Sequence, residues 1–146
     1  VLLVGLFGLL SGCGQSDVIE PDFLDIHGNG IVLSELHEKA LVVNYWATWC
    51  APCIKEIPEL NELGREYSDR LTLVGVNFDQ PEGEEALKQS SKMKIEFPVI
   101  SGNPAPLLGV AVPVVLPTTY IFAPGGELVA TLVGPQTKDT ILAVTP

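Results

Sequence analysis

Leu41-Val42-Val43-Asn44-Tyr45-Trp46-Ala47-Thr48-Trp49-Cys50-Ala51-Pro52-Cys53-Ile54-Lys55-Glu56-Ile57-Pro58 is the stretch on which the reading of this chain turns. Leu41 to Trp46 is β-branched, aromatic or aliphatic except for Asn44. Such near-continuous apolarity marks a strand buried on both faces of a parallel sheet. From Ala51 to about Ser68 the pattern changes to a helical one. Ile54, Ile57, Leu60, Leu63 and Tyr67 recur at spacings of three and four and form one apolar face. Pro58 inside this run predicts a kink. Cys50 and Cys53 therefore lie where a strand hands over to a helix.

Working outward, Phe23 to Ile26 and Ile31 to Leu33 flank Gly28-Asn29-Gly30 and read as a hairpin. Ser34 is expected to cap a short helical turn, Glu35 to Lys39. Leu71 to Phe78 reads as a second buried strand, Glu82 to Lys94 as a second and more polar helix, and Phe97 to Ile100 as a short extended segment. Residues 101 to 116 carry several Pro and Gly and receive no assignment. Thr118 to Ala123 and Leu128 to Val133 are strands joined by the tight turn Pro124-Gly125-Gly126-Glu127. Thr137 to Val144 closes the chain as a helix. Strands that alternate with helices and end in a hairpin predict an α/β fold, a mixed central sheet with helices on both faces.

The chain has 146 residues, 47 % hydrophobic and 18 % charged, which suits one globular domain. A net charge of −10 argues against nucleic acid as a partner. Three cysteines are too few for a disulfide scaffold; they divide into Cys13 alone and the close pair Cys50 and Cys53.

Two cysteines three apart on a first helical turn are near enough to bond, since disulfide Cα–Cα distances are usually about 4.4–6.8 Å. A helix N-terminus offers unpaired N–H groups and partial positive charge, which favour a thiolate at Cys50. Pro52 costs nothing there, because first-turn N–H groups have no helical partner. In this reading Cys50 is the exposed attacking sulfur and Cys53, one turn deeper, resolves the mixed disulfide. A purely structural disulfide and half of a zinc site are the alternatives. Zinc would need two further ligands, and only His27 and His37 are available.

Residues 1 to 12, VLLVGLFGLLSG, are uncharged and too short to span a bilayer, but have the length of a signal-peptide apolar region. Leu10-Ser11-Gly12-Cys13 resembles the lipobox of bacterial lipoproteins. The resemblance implies cleavage before Cys13, a lipid on its sulfur, and a tether over residues 13–21 ahead of a domain at 22–146.

Trp49-Cys50-Ala51-Pro52-Cys53 resembles the thioredoxin active-site motif. The longer string Asn44 to Pro58, together with Leu116-Pro117-Thr118-Thr119-Tyr120-Ile121-Phe122, resembles the TlpA/ResA/CcmG branch of membrane-tethered extracytoplasmic thioredoxin-like proteins. The likeness runs from about Phe23 to Val144. It implies the thioredoxin fold, here with an N-terminal β-hairpin extension, and a monomeric thiol–disulfide oxidoreductase of the cell envelope or periplasm. Such a protein would reduce protein disulfides with electrons from a membrane thiol–disulfide carrier, serve processes such as cytochrome c biogenesis, and need no cofactor or metal. Pro117 would be a cis-proline facing the cysteines, the Leu116 backbone would pair with substrate, and Trp49 would shield the disulfide.

Three departures bear on mechanism. Asn44 stands where thioredoxin has a buried Asp, so another group must take the Cys53 proton. Asp79 is the first candidate; Glu56 is a second, expected at the surface. The stretch Asn103 to Val115 is longer and more apolar than the family's usual spacing. Thr118 stands where the cytochrome-maturation subgroup has Glu. Other functions on the same fold fit less well. A peroxidase needs an arginine near the cysteine, but Arg65 and Arg70 lie late on the first long helix. Copper delivery usually needs CxxxC and a distal His, and no His follows His37. A disulfide-oxidising variant, or a binding module with a vestigial disulfide, stays open on sequence alone.

Overall fold

Strand β3 (Ala40–Trp46) is wholly buried and forms the centre of a five-stranded sheet in the computed structural model, which describes residues 20–146. It pairs in parallel with β4 (Leu71–Asn77) and antiparallel with β6 (Thr118–Phe122). Outside them lie β5 (Val99–Ile100) and β7 (Leu128–Val133), in the order β5-β4-β3-β6-β7. The parallel β3–β4 pair needs a crossover, and α2 (Ala51–Glu66) supplies it. The β6–β7 pair needs only the Pro124–Glu127 turn, where Gly125 and Gly126 both take positive φ.

Helices cover both faces. α2, α3 (Gly83–Met93) and α5 (Lys138–Leu142) bury Ile57, Leu60, Leu63, Met93 and Ile141 with Val42, Trp46 and Leu73. On the opposite face α1 (Leu33–Leu36) and α4 (Ala105–Leu108) cover Leu41, Val43, Tyr45, Val74 and Tyr120. Gly75 lets Phe97 and Trp46 approach the sheet; a Cβ there would lie 2.9 Å from Phe97 Cε2. Before the sheet, β1 (Phe23–Leu24) and β2 (Gly30–Ile31) form the short hairpin, its turn held by the Asp25 carboxylate accepting from the backbone of His27 and Asn29.

The expected fold class is the observed one, with three local corrections. α1 starts at Leu33, and its first N–H donates to Asp22 Oδ2 at 2.7 Å, so the hairpin caps it in place of Ser34. The unassigned stretch holds α4. α2 continues through Pro58, whose missing N–H frees the Ile54 carbonyl. Ile54 is 51 % exposed, because the buried stripe of α2 runs through Cys53, Glu56/Ile57, Leu60 and Leu63. The expected signal peptide, Cys13 and most of the expected tether lie outside the described residues.

Candidate active site

Cys50 is the N-cap of α2, and its sulfur accepts the Cys53 N–H at 3.3 Å. The strand-to-helix handover thus puts one sulfur on the helix's unpaired donors, where negative charge is stabilised. The two sulfurs are bonded to each other, with Cα atoms 5.3 Å apart. The expectation of an exposed Cys50 needs correction: in the disulfide form it is 5 % exposed and Cys53 fully buried. Both sulfurs belong to the core that holds Trp46, Ala47 and Ile57, and Cys50 is the more accessible of the two.

The flanking groups come from the ends of neighbouring strands. The Leu116–Pro117 bond just before β6 is cis, as the resemblance implies. Leu116 packs against both cores. Trp49 is 63 % exposed, its Nε1–H donating to Asp79 Oδ2 at 2.8 Å and its ring edge-on to Phe78 at 6.4 Å. Asp79 is therefore an exposed partner of the indole on the loop after β4, and it makes no bond to Cys53.

Glu56 reverses the expectation of a surface residue. It lies one turn beyond Cys53 on the same buried stripe and is 2 % exposed. Its Oε1 accepts from Asn44 Nδ2 at 2.7 Å and its Oε2 from the Gln136 N–H at 2.9 Å. Asn44 also donates to Thr119 Oγ1 at 3.0 Å, while its own Oδ1 is buried without a partner. Burial pushes the Glu56 carboxyl up to about 7, against the two hydrogen bonds that favour its charged form. Glu56 is therefore a carboxyl poised near neutrality one helical turn from the resolving cysteine, its two oxygens held by Asn44 and Gln136.

Sequence reasoning had Glu56 but put it in the wrong place, and missed Thr119 and Gln136. The spacing Cys53, Glu56, Leu60, Leu63 was the available signal. Among the described residues no three His, Cys, Asp or Glu gather into a cluster that could hold a metal ion.

A disulfide pair capping a helix, carried on a mixed sheet with helices on both faces, is the arrangement of thioredoxin-fold thiol–disulfide oxidoreductases, and this protein is one of them. More narrowly, the chain belongs to the AhpC/TSA family, which it matches over residues 17–131. It is 33 % identical over 124 residues to the thiol-disulfide oxidoreductase ResA of Bacillus cereus (strain ZK / E33L), covering 83 % of this chain and 71 % of that one. The exposed lipoprotein thioredoxin Etrx1 of Streptococcus pneumoniae is 27 % identical with a TM-score of 0.65, over 83 % of this chain and 93 % of that structure. A secreted thiol-disulfide isomerase of Corynebacterium glutamicum shares the fold at a TM-score of 0.71 and 22 % identity, over 97 % and 96 % of the two chains.

Proposed function

We propose that this oxidoreductase works as an extracytoplasmic reductant of protein disulfides, with Glu56 as the proton acceptor of Cys53. The observation that carries the reading is the buried Glu56 carboxyl, raised to about 7 and held by Asn44 one helical turn from the resolving cysteine. In the reduced protein the Cys50 thiolate attacks a client disulfide. One client sulfur leaves as a thiolate and a mixed disulfide forms. Cys53 then gives its proton to Glu56 and attacks the Cys50 sulfur. The second client sulfur leaves, and the Cys50–Cys53 disulfide remains. A membrane dithiol carrier returns the two electrons. Pro117 and the Leu116 backbone hold the client strand beside the sulfurs, and Trp49 borders them. The domain acts as a monomer. Cys13 carries the lipid and residues 13–21 tether the domain, a reading supported by the lipobox-like run and by the pneumococcal relative described as an exposed lipoprotein.

The reduction potential of the Cys50–Cys53 pair tests the direction, titrated against dithiothreitol and glutathione with Trp49 fluorescence as the signal. A value toward that of thioredoxin, roughly −270 mV, is expected. A value toward that of DsbA, roughly −120 mV, would make the protein an oxidant of client thiols. Incorporation of labelled fatty acid into the full chain, abolished by Cys13→Ala, is the expected sign of the anchor.

A further inference from the structure

The end of the sheet that carries the disulfide has two unlike sides. Register places the ends of the strands together: Trp46 opposes Asn77, Tyr45 opposes Thr118, and Thr118 opposes Val133. The disulfide, the loop after β4, the segment before β6 and the end of β7 therefore share one rim.

On the β6–β7 side the rim is uncharged. No Asp, Glu, Lys, Arg or His occurs between Glu96 and Glu127, in a chain of net charge −10. Val112, Val114, Val115 and Val133 are exposed there, Val114 to 98 %. Apolar side chains scattered singly over a surface need no explanation, whereas a cluster at one end marks a contact site. The segment is also held in place. The Tyr120 hydroxyl donates to the Ala111 carbonyl at 2.7 Å and the Thr118 hydroxyl to the Val115 carbonyl at 2.8 Å. Pro113 and Pro117 fix φ on either side of Val114 to Leu116. A loop pinned this way presents its valines with little left to order on binding.

On the β4–α3 side the rim is acidic. Asp79 stands beside Trp49, and Glu82, Glu84 and Glu85 are exposed where α3 begins. Gln89 links Glu85 to Asn77 at the end of β4. The cations acting on this side are Lys88, 3.7 Å from Glu85, and Lys92 one turn further along α3.

We propose that this rim selects client segments whose cysteine lies between uncharged apolar residues and a basic residue. The apolar residues seat against Val112, Val114 and Val115, and the basic one against Asp79 and the Glu82–Glu85 turn. The inference deepens the disulfide-exchange reading above and rests on it. Apolar burial and charge complementarity each select one half of the segment. An acidic client is repelled on one side and leaves a carboxylate against valines on the other.

The test uses the reduced protein and eight synthetic peptides, four flank combinations in two orders, each with one cysteine in a mixed disulfide with glutathione. The cysteine is flanked by Val-Val or Ser-Ser on one side and Lys or Glu on the other, each made in both orders. Rate constants are normalised to each variant's own rate with oxidised glutathione. In its better order, the Val-Val/Lys peptide is expected to react about tenfold faster than Ser-Ser/Glu. Val112→Ser with Val114→Ser should bring the Val-to-Ser ratio near one. Glu82→Gln, Glu84→Gln and Glu85→Gln together should bring the Lys-to-Glu ratio near one. Wild-type ratios within about twofold, or ratios that survive these substitutions, overturn the proposal. No reaction with oxidised glutathione at all would instead sink the exchange reading on which it rests.

Discussion

Val43 and Asn44 are neighbours on β3, equally buried, and they face opposite sides of the same sheet. The Val43 side is a conventional interior. Its aromatic pair Tyr45 and Tyr120 meets edge to face at 5.9 Å, and its polar tips are matched by neutral groups, Tyr45 donating to Asn103 Oδ1 and Tyr120 to a backbone carbonyl. The Asn44 side carries a disulfide, a buried carboxyl with a displaced pKa and an amide oxygen with no partner. Both sides exclude water, but only the Asn44 side carries the disulfide and a buried carboxyl. The comparison teaches that stability and reactivity in this domain are separated by the thickness of one sheet. Asn44 admits the chemistry by interrupting the apolar alternation of Val42 and Trp46.

The separation can be broken most severely at the sulfurs. Cys50→Ser is expected to lower disulfide-exchange rates by at least about a thousandfold, in a glutathione-coupled assay, while leaving the Tyr45 face intact by near-ultraviolet circular dichroism. On the quiet face, Tyr45→Ala should cost about 3–5 kcal/mol in urea denaturation and leave the Cys50–Cys53 potential unchanged. A shifted potential would mean that the two faces are coupled.

Glu56→Gln sharpens the contrast further. The folded-state pKa, about 7, lies above the ordinary 4.5. The carboxyl's contribution to stability is therefore complete below pH 4.5 and lost as pH rises through 7. Glutamine keeps an acceptor for Gln136 and removes the titrating carboxyl. The variant should flatten the pH dependence of unfolding between pH 5 and 8 by on the order of 2–3 kcal/mol. In single turnovers it should also slow the second, Cys53-dependent step about a hundredfold, so that the mixed disulfide accumulates. The smallest change is Tyr45→Phe, which removes only the bond to Asn103; about 1 kcal/mol is expected, with no effect on exchange.

Most of the sheet was legible before any coordinates. β3 and β4 are long apolar runs, α2 has a clear helical period, and the Pro124–Glu127 turn announces the terminal hairpin. What escaped was settled by tertiary contacts. The cap of α1 comes from Asp22 on another element, which no local reading of Ser34 could find. Glu56 was misplaced because a charged residue is rarely buried, although its spacing from Cys53, Leu60 and Leu63 sets it on the inner stripe. Ile54 was misplaced by the converse rule. Asp79 stood at a plausible position in sequence, but its carboxylate is taken by the Trp49 indole, a pairing visible only in three dimensions.

The central position of β3 has a consequence for how the site comes into being. β3, the cysteines and β4 follow one another along the chain, joined by the α2 crossover, whereas the valine loop and cis-proline arrive with β6 much later in the sequence. During vectorial synthesis the reactive sulfurs therefore emerge ahead of the surface that selects their clients. The two are united only when β6 pairs with β3, Phe122 opposite Leu41 and Thr118 opposite Tyr45. Until that seam closes, the nascent chain holds a dithiol with only the acidic half of its rim in place.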